Sequence, residues 1–244
     1  VGCDDDGEAH HFLRLSCFDG AHAFLFSAEV NADGTLAGGF WSGAQHSEAW
    51  SARRDPAAAL PDELALTRVV EGLSLAELAF PQVFPLPTSE KSASYPLRSL
   101  GDPAFAGRAR LVQIFGSWCP NCHDACALLA ELHQRYGPRG LAIQGLAFEL
   151  GNDLARDAVQ VQRYAARHGI SWPLFLAGPA DKQRATESLR LLDRVRAYPT
   201  TLFLDREGRV RYVLTGFSGP ATGAEHARQR ARIERLIEEL LAGG

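Results

Sequence analysis

The sequence predicts an α/β protein in which a mixed β-sheet carries helices on both faces, preceded by a small antiparallel β-meander. Two observations predict this architecture. From about residue 95, short apolar runs typical of buried strands alternate with segments whose apolar residues recur at helical spacing. Before residue 54, aromatic-rich runs follow one another with only turn signals between them. We therefore expect a meander at 1–53, belonging to a truncated domain, a Pro-containing connector at 54–94 and the main domain at 95–244.

Three apolar runs predict the strands of the meander: Phe12–Phe18, Ala23–Val30 and Leu36–Trp41. Asn31-Ala32-Asp33-Gly34 is a hairpin turn signal in which Gly34 supplies a left-handed backbone position. Phe18-Asp19-Gly20 indicates a second turn. A sheet this small is marginally stable alone, which favours further strands outside this segment.

Five prolines interrupt the connector at 54–94: Pro56, Pro61, Pro81, Pro85 and Pro87. Each removes a backbone donor and disfavours a helix in the residues before it. A short amphipathic stretch at Leu64–Val70 predicts one turn of helix between two of them.

In the main domain, strands and helices alternate and the last two strands form a hairpin. The predicted strands are Leu111–Phe115, Leu141–Phe148, Trp172–Leu176, Thr201–Leu204 and Val210–Leu214. The first predicted helix follows Cys119, and the apolar stripes of the other three begin at Leu154, Ala185 and Ile233. Asp205-Arg206-Glu207-Gly208 predicts the hairpin turn.

Composition excludes several classes of function. A net charge of −4 in 244 residues gives no electrostatic preference for nucleic acid or anionic membrane. No stretch approaches the roughly 20 apolar residues of a membrane helix, and no signal peptide is visible. The chain has no Met, so we expect residue 1 to be other than the translation start; a truncation is favoured over a lipoprotein cleavage site at Cys3.

The chemistry is predicted at Cys119-Pro120-Asn121-Cys122, where a buried strand ends and a helix begins. The unpaired N–H groups and positive dipole of a helix N-terminus stabilise a thiolate at Cys119. Cys122 lies one turn later, so Cys119 can attack a disulfide and Cys122 can then release the mixed disulfide. Pro120 is tolerated in the first turn, where its missing donor would have been unpaired.

Gly116-Ser117-Trp118-Cys119-Pro120-Asn121-Cys122 resembles the active-site segment of the TlpA-like branch of thioredoxin-fold disulfide reductases. Two further segments resemble this family, in the right order: Gly145–Glu149 and Ala197–Asp205. The resemblance covers residues 95–242. It implies a thioredoxin-like fold, redox activity and a periplasmic or cell-envelope setting, although no targeting segment is present in this chain.

The resemblance also assigns roles beside the two cysteines. It places Pro199 in a cis-proline loop between Tyr198 and Thr200, so that Tyr198 contacts an extended substrate and Trp118 shapes the groove. It makes Glu149 a candidate for the acid that exchanges a proton with Cys122. The alternative is that Glu149 is a solvated residue at the end of a strand. The chain departs from the family at three positions, where an expected Asp, Glu and Pro are replaced: Gln113, Ala125 and Ala127.

Several other interpretations of the same cysteines stay open. Cys119-Pro120-Asn121-Cys122-His123 matches the c-type haem pattern, with His123 otherwise an exposed helix residue. Zinc would need Cys126 and a histidine as further ligands. A thiol peroxidase is disfavoured because Gly116 occupies the position of the expected Thr. The fold could also serve as a binding module without enzymatic activity.

We therefore predict a thiol–disulfide oxidoreductase, with disulfide reductase favoured over oxidase or isomerase. It requires no cofactor beyond the redox-active disulfide Cys119–Cys122. The predicted partners are protein thiols or disulfides as substrates and an electron-donor protein, with no nucleic acid and no membrane span. Cys17 and Cys126 are predicted to pack as small apolar residues.

Overall fold

The computed structural model describes residues 2–3, 9–18, 23–44, 46–59, 61–86 and 95–243. The predicted turn at Asp19-Gly20 and the side chain of Cys3 lie outside the described residues. The chain forms two compact units, one from Val1–Leu60 with Pro220–Thr222 and the other from Pro61–Gly219 with Gly223–Gly244.

The first unit contains the predicted meander. Its strands are β1 (Gly2–Cys3), β2 (Ala9–His10), β3 (Phe12–Phe18), β4 (Ala23–Val30), β5 (Leu36–Ser42) and β6 (His46–Ala52). β1 pairs with β2, and the other four form an antiparallel sheet in the order β3-β4-β5-β6. The turn between β4 and β5 is the predicted one: Gly34 has φ of 78° and donates its N–H to Asn31 O at 2.9 Å.

The second unit is built on a seven-stranded mixed sheet. Its strands are β7 (Ala79–Phe84), β8 (Leu97–Ser99), β9 (Ala109–Phe115), β10 (Leu141–Glu149), β11 (Leu174–Pro179), β12 (Thr200–Leu204) and β13 (Val210–Thr215). The strand order is β13-β12-β9-β10-β11-β7-β8. The central strands β9, β10 and β11 run parallel, and the remaining pairs are antiparallel.

Within the described residues, four α-helices cover this sheet: α1 (Pro120–Tyr136), α2 (Leu154–His168), α3 (Lys182–Leu189) and α4 (Ala224–Ala242). Alternate residues of β9 face opposite sides, as in any strand. Leu111 and Phe115 pack in one apolar cluster with residues of α1, α2 and α4. Val112 and Ile114 pack in a second cluster with residues of α3. Helices therefore lie on both faces, which confirms the predicted fold class.

Two local expectations differ from the structure: the helical turn at Leu64–Val70 and the connector at 54–94. Leu64–Val70 forms turns and an isolated bridge, with no helix. The Asp62 side chain accepts the N–H of Leu64 at 3.0 Å, and such side-chain bonds compete with helix formation.

Part of the segment predicted as a connector joins the sheet. Strand β7 lies between β11 and β8 in spite of Pro81, and its residues Phe80 and Val83 are buried. Burial of these apolar side chains outweighs the loss of one backbone donor. Among the described residues, no helix is both long and apolar enough to cross a membrane.

Candidate active site

Cys119 occupies the predicted junction between strand and helix. β9 ends at Phe115, and α1 begins at Pro120 with Cys119 as its N-cap residue. The Cys119 N–H donates to Gly116 O at 3.1 Å, and Cys119 O accepts the N–H of Cys122 at 3.0 Å. This tight turn places Cys119 at the N-terminal end of the helix, where the first N–H groups have no partner within the helix.

Trp118 is held against the strand ends by its indole. Its Nε1–H donates to Phe148 O at 2.9 Å, and the ring is 39% exposed. Gly116 permits this placement, because a Cβ there would collide with Trp118 Nε1. Trp118 therefore presents a partly exposed aromatic surface beside Cys119.

The two thiols of the motif differ in exposure and in acidity. Cys119 is 5% exposed and Cys122 is fully buried, and both are free thiols. The Cys122 thiol, followed by the N–H groups of Cys122 and Asn121, lowers the pKa of Cys119 against the opposing effect of burial. Burial, and then the neighbouring Cys119, raises the pKa of Cys122 well above its ordinary value. Cys119 therefore ionises first.

Cys126 extends the sulfur cluster by one further turn of α1. It is fully buried, and burial raises its pKa to about 11. Tyr164 on α2 packs beside it and donates its hydroxyl to Cys122 O at 2.8 Å. A buried, neutral thiol agrees with the predicted apolar packing of Cys126. Cys17, in contrast, is exposed, so its predicted packing as an apolar residue is wrong.

The loop before β12 closes the site from the other side. The Tyr198–Pro199 peptide bond is cis, as predicted. Tyr198 O lies 3.5 Å from Cys119 Sγ, and the Tyr198 ring meets Trp118 edge-on at 5.6 Å between centroids. Thr200 is fully buried and donates its hydroxyl to Ala197 O at 2.9 Å. The chain thus brings Trp118, Cys119 and Tyr198 together from two distant segments.

Glu149 is buried at the end of β10, which excludes the solvated strand end considered as an alternative. Its carboxylate accepts the N–H of Ser117 at 2.8 Å and the Ser117 hydroxyl at 2.6 Å. Burial raises its pKa, while the two bonds from Ser117 oppose this effect. Its observed contact is with the loop before Cys119.

Two buried amides lack hydrogen-bond partners within the described part of the chain: Gln113 at Nε2 and Asn121 at Oδ1. Gln113 is buried on the strand face shared by Leu111 and Phe115, the side that packs with the cysteines. An amide does not titrate between pH 2 and 12, so this position supplies no proton acceptor.

The sequence interpretation did not identify the contacts of two histidines. His123 is partly buried, with Nε2 2.9 Å from Ser117 O and Nδ1 2.6 Å from His168 Nε2. The expectation of an exposed helix residue is therefore wrong, because α2 covers it. Nothing in the sequence around His168 indicated this contact, which depends on the packing of two helices.

In the described ranges, no three His, Cys, Asp or Glu side chains come together in a way that could hold a metal ion.

Comparison with known proteins gives one family model and two curated relatives. The model of the Redoxin family matches residues 87–227. Thiol-disulfide oxidoreductase ResA of Geobacillus kaustophilus is 26% identical over 112 residues, which cover 46% of this chain and 57% of that protein. The protein of the same name from Geobacillus thermodenitrificans gives the same figures. The chain thus spans little more than half the length of these curated relatives.

Among solved structures, the fold is similar to that of a protein described as thiol:disulfide interchange protein DsbE from Chlorobium tepidum. The TM-score is 0.50 at 16% sequence identity, and the match covers 71% of this chain and 99% of the other. This similarity agrees with the thioredoxin-like fold that the family resemblance implies.

Proposed function

Since the chain belongs to the Redoxin family, we propose that it is a thiol–disulfide oxidoreductase, and specifically a disulfide reductase that uses Cys119 and Cys122. The observation that carries this proposal is the contrast between the two thiols. Cys119 at the helix N-terminus has a lowered pKa, and Cys122 behind it has a raised one. That difference provides a nucleophile, Cys119, and a resolving thiol, Cys122, which stays protonated until the mixed disulfide has formed.

The reaction proceeds in two exchanges. The Cys119 thiolate attacks one sulfur of a substrate disulfide, forms a mixed disulfide and expels the other sulfur as a thiolate, which takes up a proton. Cys122 then loses its proton and attacks Cys119 Sγ. The Cys119–Cys122 disulfide forms, and the second substrate thiolate leaves. The substrate gains two electrons and the cysteine pair loses two.

The surroundings of Cys119 support the reductase direction. A cysteine pair is a strong oxidant when its thiolate form is strongly stabilised. Here the groups that lower the pKa of Cys119 are neutral donors, namely one thiol and two backbone N–H groups. Neutral donors stabilise a thiolate less than a cationic side chain does. The pair is therefore expected toward the reducing end of the known range.

The proposed substrates are protein disulfides, and the proposed setting is the periplasm or cell envelope. We propose that the substrate binds as an extended segment over Trp118 and Tyr198, whose rings meet edge-on beside Cys119. Each turnover leaves Cys119 and Cys122 oxidised, so a reductant must return two electrons, and we propose that an electron-donor protein supplies them as a dithiol. Two of the relatives carry names that place them among thiol–disulfide oxidoreductases, which supports the same substrate class.

The test is reduction of a protein disulfide in the presence of a dithiol. We expect the wild-type chain to catalyse it, and both Cys119→Ser and Cys122→Ser to abolish catalysis. Cys122→Ser should also retain substrate as a mixed disulfide that dithiol releases. Cys126→Ser, on the same helix and equally buried, is the matched control and should keep activity. Wild-type activity in Cys119→Ser would support the alternative of a binding module.

A further inference from the structure

His123 and His168 form a directed hydrogen-bond chain at the back of the sulfur site. His123 follows Cys122 on α1, and His168 is the last residue of α2. Ser117 O can only accept, so the 2.9 Å contact requires a hydrogen on His123 Nε2. In the neutral ring Nδ1 then accepts, and the 2.6 Å contact requires a hydrogen on His168 Nε2.

This chain continues to the buried acid. Ser117 accepts from His123 at its carbonyl and donates its N–H and hydroxyl to Glu149. Ser117 is therefore held from two sides, two residues before Cys119. Because the loop is short, a shift of Ser117 moves Trp118 and the nucleophilic sulfur with it.

Tyr164 ties the histidine pair to Cys122. Its ring lies 4.9 Å from His123 and 4.7 Å from His168 between centroids, and its hydroxyl donates to Cys122 O. The imidazole rings themselves are 4.9 Å apart. Three aromatic rings thus contact one another directly behind the turn that carries the two thiols.

The pair can hold one extra proton but not two. In the neutral pair a hydrogen already bridges the two facing nitrogens, so a first extra proton adds at His168 Nδ1. A second extra proton would put a hydrogen on each facing nitrogen of two imidazolium cations 2.6 Å apart. The surroundings of the pair oppose further positive charge. Burial lowers the pKa of His168, and the neighbouring His123 and Arg167 lower it further. Tyr164 is neutral, because burial raises its pKa. The thiol of Cys122 belongs to the residue directly before His123, and that of Cys119 to the N-cap residue of α1.

We propose that the His123–His168 pair positions the Ser117–Cys119 loop for thiol exchange and releases the loop when it takes up a second proton in acid. This role rests on the proposed function, because the loop carries the nucleophile of that reaction. The histidines touch neither sulfur, so they are positioning residues. The consequence is a redox site whose reactivity falls in acid by more than thiol protonation explains.

The test measures alkylation of Cys119 by iodoacetamide in the full chain between about pH 4 and pH 8. Each rate is divided by the thiolate fraction, which is obtained from ultraviolet absorbance. His168→Gln keeps an N–H donor toward His123 but cannot be protonated, while His168→Phe keeps only the ring. His133→Gln is the matched control, because His133 is also on α1 and also has a pKa lowered by burial.

For the wild type and His133→Gln, we expect the corrected rate to fall at least about threefold from neutral pH to about pH 4. The corrected rate of His168→Gln should stay constant across this range, and that of His168→Phe should be low at every pH. A constant wild-type rate, or a fall in His168→Gln equal to that of the wild type, would overturn the inference. If His168→Phe does not fold, His168→Gln alone decides the question.

Imidazole ¹⁵N chemical shifts of the wild type give a second readout that does not depend on exchange. We expect the hydrogen on Nε2 of both histidines at neutral pH, and a hydrogen on His123 Nδ1 there would contradict the geometry. Alkylation does not require disulfide reduction. A pH-dependent loop in a protein that reduces no disulfide would therefore contradict only the proposed function.

Discussion

The backbone carbonyl of Tyr198 lies 3.5 Å from Sγ of Cys119, in the position of an acceptor for the thiol. When Cys119 ionises, its sulfur no longer donates, and this carbonyl becomes an unpaired acceptor at the edge of the site. An extended substrate chain can supply the missing N–H as its disulfide approaches Cys119. We therefore expect the same carbonyl to accept first from the resting thiol and then from a bound substrate.

Truncating Tyr198 tests the aromatic part of this groove. Tyr198→Ala removes the ring that packs edge-on against Trp118, and we expect disulfide reduction to slow by about threefold to tenfold. The pKa of Cys119 should stay unchanged, because Tyr198 is absent from the groups that set it. Tyr198→Phe loses only the hydroxyl bond to Ala180 O and is the control. Equal rates for all three proteins would contradict a substrate groove here.

The acidity of Cys119 depends first on the thiol of Cys122. In Cys122→Ala this donor is absent, so the pKa of Cys119 should rise and its thiolate fraction at pH 7 should fall. Loss of one hydrogen bond predicts alkylation about threefold to tenfold slower. Peptide mass spectrometry assigns the modified residue. Cys126→Ala removes a thiol that does not contribute to this pKa, and it should alkylate at the wild-type rate.

Gly116 is required for the position of Trp118, because a Cβ there collides with the indole nitrogen. We expect Gly116→Ala to lower the free energy of unfolding by about 1–3 kcal/mol and to slow alkylation of Cys119. Gly137→Ala is the control, since Gly137 has a helical backbone and an added Cβ would meet His133 at an ordinary 3.6 Å. Denaturant unfolding provides the comparison. An unaffected Gly116→Ala would show that Trp118 can move freely.

Glu149 stabilises the loop through its two bonds to Ser117. Glu149→Ala should therefore lower the free energy of unfolding by about 1–3 kcal/mol, because two donors lose their acceptor. Glu149→Gln separates charge from hydrogen bonding. The raised pKa of Glu149 means that folding favours the protonated acid. Its contribution to stability is fully present below the ordinary carboxyl pKa and is lost as pH rises through the raised value.

The neutral amide mimics the protonated acid at every pH. Relative to the wild type, Glu149→Gln should therefore be more stable at pH 7 than at pH 4, as measured by denaturant unfolding at both values. Glu187→Gln, an exposed helix position, should show no such trend. The opposite trend for Glu149→Gln would mean that the ionised carboxylate is the form that folding favours.

Much of the site could be predicted from the sequence because it depends on local geometry. The end of an apolar strand at Phe115 and a proline at residue 120 place Cys119 at a helix N-terminus, whatever the rest of the chain does. The order of strands and helices likewise follows from hydrophobic periodicity. Pro199 was found only through the family resemblance, since 79 residues separate Tyr198 from Cys119.

The features that could not be predicted depend on tertiary packing. Strand β7 contains Pro81 and looks like a linker in isolation, yet burial of Phe80 and Val83 brings it into the sheet. His168 meets His123 only because α2 packs on α1 at that point. Glu149 could be assigned as a candidate, but whether it is buried depends on the loop that covers it. Such contacts leave no periodic signal in a single sequence.

The equilibrium reduction potential of the Cys119–Cys122 pair against glutathione tests the central claim most directly. The neutral environment of the Cys119 thiolate predicts a reduction potential near the reducing end of the known scale, about −270 mV. Cys122→Ser cannot form the disulfide and should show no such couple. A value near −120 mV, at the oxidising end of that scale, would contradict the reductase assignment. No two-electron couple at all would contradict the proposed thiol–disulfide exchange itself.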